Sequence, residues 1–120
     1  MDHPRETFAR LLDVWNGEAA LDELDALVSA SYRGHLGSRE RDLARLKQDI
    51  AEYRERVPGV RFSVEHQFGQ DEDLATRLTA HAPAGEAGTP TAISGLNISR
   101  WDNGLLAEEW AVWEAFDVDR

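Results

Sequence analysis

The first half of the chain carries apolar residues every three or four positions, a spacing that predicts amphipathic helices with one buried stripe. Pro58-Gly59 is a strong stop signal and ends the last of these segments. Ser38 has the short polar side chain of an N-cap and is predicted to begin that segment. The stretch Ser29–Gly37 shows neither a helical nor a strand pattern and is predicted to be irregular. The predicted helices span Pro4–Asn16, Leu21–Val28 and Ser38–Arg56.

After Gly59 the spacing changes to a period of two, which predicts strands. Asn103-Gly104 is the strongest short hairpin signal, because both residues accept the positive φ of a tight turn. The segment Pro83–Pro90 is a loop by composition. The predicted strands are Val60–Phe68, Leu74–Ala82 and the two arms of a hairpin over Thr91–Phe116. Helices followed by antiparallel strands predict an α+β fold, with the helices packed on one face of a curved sheet.

The second arm of the hairpin carries the most informative chemistry. Strand alternation places one set of side chains on a single face and Trp113 on the other. That set is Glu108, Trp110, Val112 and Glu114. A carboxylate held in an apolar pocket accepts protons more readily, because burial disfavours its charged form. Glu114 is therefore a candidate general base with Trp110 and Trp15 as pocket walls. The alternative is a solvated carboxylate at a strand end.

Other polar side chains are brought together by the predicted elements. Tyr32 and His35 lie close together in the irregular stretch, and Arg77 and His81 share one face of their strand. An arginine facing a cavity would hold an anionic or carbonyl group, because an unpaired buried charge is costly. The alternative is an arginine that lies on the sheet and pairs with one of the many acidic side chains.

Composition narrows the classes of function. The net charge is −10, with 23 acidic against 13 basic residues, so nucleic acid is not an expected partner. The absence of cysteine excludes disulfides and thiolate zinc sites. Histidines at positions 3, 35, 66 and 81 lack ligand spacing, so no metal is expected.

Length and hydropathy predict a single soluble domain over residues 1–120. No apolar run approaches the roughly 20 residues that a membrane helix needs, and the chain begins without a signal-peptide pattern. A cytoplasmic protein with no membrane partner is therefore expected.

The order of elements and several motifs resemble a known family. The segment Gly95–Glu114, with its run W-D-N-G-L-L-A-E-E-W-A-V-W-E, is similar to the SnoaL-like polyketide cyclases of the NTF2-like superfamily. Supporting motifs are Tyr32-Arg33-Gly34-His35, Pro58-Gly59-Val60-Arg61-Phe62 and Ala75-Thr76-Arg77-Leu78. The resemblance implies an NTF2-like cone, in which three N-terminal helices pack on a curved antiparallel or mixed sheet around an internal pocket. It also implies a homodimer formed through the sheet, which would cover the second apolar face.

The resemblance also implies roles for particular residues. In the cyclases a carboxylate near the end of the last strand is the general acid/base, and Glu114 stands at that position in place of the usual Asp. A histidine of the same cavity corresponds to His35. Ketosteroid isomerase, of the same superfamily, supplies a hydrogen-bond donor from the preceding strand, where Asn97 lies. Asn97 would then donate a hydrogen bond to an enolate oxygen. The alternative is that its side chain satisfies a backbone group in a core strand.

These observations predict cofactor-free proton transfer on a small, largely apolar carbonyl ligand, as in a polyketide-type aldol cyclisation or an isomerisation. Glu114 and His35 are the expected catalytic residues. The expected substrate-binding residues are Trp15, Tyr32, Arg77, His81, Asn97 and Trp110. Epoxide hydrolases of the same superfamily carry carboxylates where Thr79 and Val112 lie here, so the resemblance does not imply epoxide hydrolysis. The alternative is a non-catalytic ligand-binding or interaction module, since a fold does not decide function.

Overall fold

A computed structural model describes residues 4–83 and 91–114, the side chain of Thr91 excepted. Three α-helices and a six-stranded sheet occur in these ranges, which confirms the predicted α+β class. None of these helices is long and apolar enough to cross a membrane. The helices are α1 (Pro4–Trp15), α2 (Leu24–Leu27, preceded by a 3-10 turn at Leu21–Glu23) and α3 (Leu43–Arg56). The strands are β1 (Val28–Leu36), β2 (Arg39–Arg41), β3 (Arg61–Gln70), β4 (Asp73–Ala82), β5 (Thr91–Asp102) and β6 (Leu105–Trp113).

The strands form one mixed sheet in the order β2-β1-β6-β5-β4-β3. Strands β3 to β6 follow one another as an antiparallel meander, whereas β1 lies parallel to β6 and antiparallel to β2. The β5–β6 hairpin turns at Asn103 (φ 52°) and Gly104 (φ 80°), as the Asn-Gly pair predicts. Most of the predicted loop Pro83–Pro90, and the end of the predicted hairpin at Phe116, lie outside the described residues.

The prediction for the segment between the second and third helices is wrong. Ser29–Gly37 is not irregular, because most of it belongs to β1. Small residues such as Ser, Ala and Gly give this segment little strand preference of its own, and its pairing with β6 and β2 supplies the hydrogen bonds instead. Helix α3 begins after Asp42 rather than Ser38, and Asp42 Oδ1 accepts a hydrogen bond of 2.9 Å from the Arg45 amide.

The core lies between the helices and one face of the sheet, which we call the inner face. Its largest members include Phe8, Leu46, Ile50, Trp101 and Leu106, all nearly inaccessible to solvent. Burying each such side chain contributes about 1.5–3 kcal/mol relative to leaving it exposed. The opposite, outer face has no helix packed on it among the described residues, and it carries exposed apolar side chains at Phe68, Leu96, Ile98, Trp110 and Val112. The two faces of one sheet therefore differ in burial.

Candidate functional site

A cavity of about 420 Å³ lies between α1, α3 and the inner face of the sheet. This volume falls in the usual range for sites that bind small molecules. Trp15, Phe62 and Trp113 form an aromatic wall, with ring centroids 5.3 Å apart for Trp15–Phe62 and 5.7 Å apart for Phe62–Trp113. Leu12 and Leu78 extend the apolar lining. Most of the surface that a ligand would contact is therefore hydrophobic.

A buried polar group interrupts this lining at Glu109, whose side chain is 6% exposed. Its Oε2 accepts a hydrogen bond from the Tyr32 hydroxyl and another, of 3.3 Å, from Arg41 Nη2. Its Oε1 accepts a hydrogen bond of 2.7 Å from Asn97 Nδ2. We call Tyr32, Arg41, Asn97 and Glu109 the inner cluster. A buried carboxylate is tolerated here because donors and a cation satisfy its charge.

The sequence builds the inner cluster from strands that are distant along the chain. Glu109 pairs with Gly34 across the parallel β1–β6 ladder. A Cβ atom at position 34 would lie 2.2 Å from the Tyr32 hydroxyl and 3.1 Å from Arg41 Cγ. Gly34 is therefore required, because its missing side chain makes room for the phenol and the guanidinium that reach Glu109.

Arg41 is held from several directions. Its Nε donates to the Tyr32 hydroxyl at 3.0 Å and its Nη1 donates to Asp49 Oδ2 at 3.1 Å. Its guanidinium carbon lies 5.8 Å from the centre of the Trp15 ring, within cation–π range. Asp49 is also bound to Arg45 Nε, at 2.9 Å. The positive charge of Arg41 is thus fixed in the cavity wall and balanced by two carboxylates.

Protonation within the inner cluster follows from this arrangement. Burial, followed by the negative charge of Glu109, raises the pKa of Tyr32 above its ordinary value of 10.0. Burial alone disfavours the charge of Arg41, but Glu109, Tyr32 and Asp49 more than offset this, so the pKa of Arg41 is raised. Tyr32 therefore remains a hydroxyl donor and Arg41 a cation at any pH near neutrality.

Besides Glu114, three of the residues predicted for the site line the cavity or belong to the inner cluster. Trp15 and Asn97 line the cavity, and Tyr32 reaches it through Glu109. The predicted donor atom of Asn97 is Nδ2, and that nitrogen is bonded to Glu109. Asn97 Oδ1 is buried and has no hydrogen-bond partner within the described residues.

Glu114 also lines the cavity, but its side chain is exposed, which corrects the expectation of a carboxylate buried in an apolar pocket between Trp110 and Trp15. It follows the last residue of β6, so strand alternation no longer determines its direction. Its Oε1 accepts a hydrogen bond of 2.7 Å from the Ser94 amide. Glu114 therefore lies on the solvent-exposed part of the cavity wall, whereas Glu109 lies in the buried part.

The remaining predicted residues lie on the outer face, which corrects the expectation that they share the cavity with Glu114. Trp110 is 42% exposed and stacks on His35, with ring centroids 5.4 Å apart and planes 10° apart. Arg77 donates to His66 Nδ1 at 3.0 Å, and the side chain of His81 is exposed on the same strand face. Alternation correctly groups Trp110 with Glu108 and Val112, but it does not tell which face of the sheet meets the helices.

A second polar group surrounds Trp110 on the outer face. His35 Nε2 lies 2.8 Å from Glu108 Oε2, and Arg100 Nη2 donates to Glu108 Oε1 at 3.4 Å. The hydrogen bond with His35, supported by Arg100, lowers the pKa of Glu108 from its ordinary value of 4.5. We call His35, Arg100, Glu108 and Trp110 the outer cluster.

Sequence reasoning missed Glu109 and Arg41. Arg41 lies in a stretch of mixed charges that resembles a solvated helix face. Glu109 lies beside Glu108, and the candidate residues were sought on the face of the strand that carries Glu108. Strand alternation offers one signal, because it places Glu109 on the same face as Ala111 and Trp113 and on the opposite face from the exposed Val112. Gly34, two residues after Tyr32, is the second signal of close packing at this point.

Comparisons with known proteins agree with this architecture. The SnoaL-like polyketide cyclase family matches residues 6–120. IdmH from Streptomyces antibioticus, a proposed polyketide cyclase, superposes with a TM-score of 0.85 at 22% identity, over 94% of this chain and 93% of that chain. AclR from Streptomyces galilaeus, a proposed hydroxylase, superposes with a TM-score of 0.78 at 15% identity, over 92% of this chain and 78% of that chain.

A SnoaL-like polyketide cyclase from Agrobacterium tumefaciens also superposes, with a TM-score of 0.79 at 18% identity, over 95% of this chain and 93% of that chain. No curated protein sequence matches the chain significantly. The structural similarities confirm the predicted fold, and the match over residues 6–120 confirms the predicted family resemblance.

Proposed function

The chain belongs to the SnoaL-like polyketide cyclase family, and we propose that it is a cofactor-free enzyme that transfers protons on a small, largely apolar carbonyl compound. A polyketide-type aldol cyclisation or an isomerisation is the class of reaction. The observation that carries the proposal is the cavity, whose largely apolar surface is interrupted by several charged side chains, among them the fixed cation Arg41 and carboxylates in both its buried and its exposed parts. An apolar pocket with a few converging polar groups is the usual form of a small-molecule site.

Arg41 is suited to stabilise the negative charge that develops on a carbonyl oxygen during enolate formation. It lines the cavity, is 7% exposed, and is held in place by Tyr32, Asp49 and Glu109 before any ligand arrives. A charge fixed in advance in a water-poor site stabilises a developing oxyanion without reorganisation. Arg41 thus supplies the electrophilic role for which the sequence suggested Asn97.

Glu114 is the proposed base. Glu109 is not assigned this role, because three donors already occupy its oxygens and it is paired with Arg41. Asp49 is likewise bound to Arg41 and Arg45. Glu114 accepts one described side-chain hydrogen bond, from the Ser94 amide, and it occupies the strand end where the family resemblance implies the acid/base.

Deuterium exchange into the α-carbon of 2-tetralone, followed by NMR, tests proton transfer without knowledge of the natural substrate. Replacing a general base lowers the rate by about 10²–10⁴-fold, so we expect Glu114→Gln to lose most of the exchange that the wild type catalyses. Glu52→Gln is the matched control, because Glu52 is another exposed glutamate of the cavity wall. Exchange at the wild-type rate in Glu114→Gln would reject the assignment, and no catalysed exchange in the wild type would favour a non-catalytic ligand-binding module.

The outer face supports a second proposal, that the chain forms a homodimer through the sheet. Five large apolar side chains are exposed there on β3, β5 and β6: Phe68, Leu96, Ile98, Trp110 and Val112. Contiguous exposed apolar surface of this kind marks an interaction site. Sedimentation equilibrium should give a dimer for the wild type and for Ala44→Glu on α3, and a monomer for Leu96→Glu. A monomeric wild type at all concentrations would contradict the proposal.

A further inference from the structure

The inner face repeats one arrangement where β2, β1 and β6 lie side by side. Gly34 of β1 pairs with Arg41 of β2 and with Glu109 of β6, so these three residues form one row across the sheet. The charged side chains at its two ends meet over the glycine, where Arg41 Nη2 lies 3.3 Å from Glu109 Oε2. The cation of this row therefore has its counter-charge within the protein.

The next row, two residues along each strand, has a cation but no carboxylate. Leu36 of β1 pairs with Arg39 of β2 and with Ala111 of β6, and all three residues line the cavity. Arg39 is exposed, and within the ranges that the structure describes its side chain forms no ion pair or hydrogen bond. Carboxylates are not scarce in this chain, which has 23 acidic against 13 basic residues. The second row is thus incomplete at the position that Glu109 fills in the first.

A singly charged planar anion completes the second row best. Ala111 presents only a methyl group where the first row has a carboxylate, so the counter-charge has to come from outside the protein. The guanidinium fork matches the two oxygens of a carboxylate. A phosphate dianion is less suitable, because the exposed carboxylates of Glu52 and Glu114 also line the cavity and would repel the additional negative charge.

We infer that the ligand of this cavity carries a carboxylate that pairs with Arg39, in the way that Glu109 pairs with Arg41. Residues two apart on a strand are separated by about 7 Å, so this carboxylate lies about 7 Å from the carbonyl oxygen that Arg41 would stabilise. The inference rests on the proposed function, because it concerns the same cavity and the same carbonyl position. It adds an anionic group that proton transfer on a carbonyl compound does not itself require.

A matched pair of ketones tests the inference: 2-tetralone-6-carboxylate and its methyl ester, which has the same rings and ketone without the charge. We define the preference as the Kd of the ester divided by the Kd of the carboxylate, both measured by amide NMR titration at neutral pH. An exposed ion pair changes affinity by up to about fivefold. The preference should therefore be about fivefold higher in the wild type than in Arg39→Gln.

Arg33→Gln is the matched control for the loss of one positive charge. Arg33 is also exposed and without a described ion pair, but alternation along β1 places it on the outer face, so its removal should keep the wild-type preference. Equal preference in the wild type and Arg39→Gln would overturn the inference. An equal loss in Arg33→Gln would also overturn it, by showing that only long-range charge acts. A loss in Arg56→Gln alone would place the carboxylate at another arginine of the cavity wall.

A second measurement uses the unaltered protein. The Arg39 Nε–H signal, followed by 15N NMR, should move with 2-tetralone-6-carboxylate and not with its methyl ester, and added salt should weaken binding of the carboxylate more than that of the ester. No saturable binding of the carboxylate, or equal signal changes with both ketones, would overturn the inference. Deuterium exchange is measured separately, so binding through Arg39 without catalysed exchange would reject the proposed reaction and keep this inference.

Discussion

Glu108 and Glu109 are adjacent on β6, yet they belong to opposite faces of the sheet and to different physical settings. Each carboxylate meets an arginine and an aromatic residue, so the two clusters are similar in composition. Glu109 is buried and bonded to Tyr32, Arg41 and Asn97, whereas Glu108 is partly exposed and bonded to His35 and Arg100. The comparison shows that a shift of one residue along a strand determines whether a carboxylate is solvated by water or is buried and bonded to protein donors.

The consequences follow from solvation. A buried ion pair that loses one partner leaves a charge with no compensation, whereas an exposed pair exchanges its partner for water. The inner cluster should therefore determine stability and the shape of the cavity. Substitutions in the outer cluster should change only local protonation and leave the fold intact.

The largest difference is expected on removing the two negative charges in turn. Glu109→Gln leaves Arg41 buried with Asp49 as its remaining carboxylate partner, and breaking a buried pair typically costs about 3–5 kcal/mol of unfolding free energy. Glu108→Gln should leave the unfolding free energy close to that of the wild type. Urea denaturation of both variants measures the difference. Similar losses in the two variants would show that burial does not distinguish the clusters.

The elements that local sequence determines were predictable. Helix α1 follows from its apolar stripe, and the β5–β6 hairpin follows from Asn103-Gly104. Strand β1 was not predictable in this way, because its parallel partner β6 lies more than seventy residues away and its own composition favours no strand. Non-local pairing therefore explains the main error in the fold.

The candidate site was predictable only in part, for a related reason. Period-two alternation groups Trp110 with Glu108, and Arg77 with His81, but the choice between the two faces depends on where α1 and α3 pack. Trp15 and Asn97 lie on the cavity side, whereas His35 and Trp110 lie on the outer face. Arg41 was missed because a charged residue in a charged stretch gives no sign of its burial.

A smaller loss is expected when a hydroxyl rather than a charge leaves the inner cluster. Tyr32→Phe removes the donor to Glu109 and the acceptor for Arg41 Nε, which should cost about 1–3 kcal/mol in urea denaturation. His35→Phe is the corresponding change in the outer cluster, since it keeps an aromatic ring on Trp110 and loses the bond to Glu108. An equal effect of both changes would contradict the comparison.

Tyr32 also predicts a dependence of stability on alkaline pH. Because its folded pKa is raised above the ordinary value of 10.0, its contribution is fully present below pH 10 and is lost as the pH rises above that value. In that range the unfolded chain releases a proton that the folded chain keeps. Above pH 10, up to the pH at which the protein unfolds, the unfolding free energy of Tyr32→Phe should therefore fall less with rising pH than that of the wild type, as measured by urea denaturation.

The smallest effect is expected in the outer cluster, where only one carboxylate changes its titration. The hydrogen bond with His35 is the main cause that lowers the pKa of Glu108 from 4.5, so His35→Ala should return this pKa toward 4.5, and Arg100→Ala should move it less. A lowered folded pKa means that the contribution of Glu108 to stability is present above pH 4.5 and is lost as the pH falls through the folded value. The Glu108 Cδ signal, followed by 13C NMR against pH, measures each shift. A larger rise in Arg100→Ala than in His35→Ala would show that the arginine, rather than the stacked histidine, controls this face.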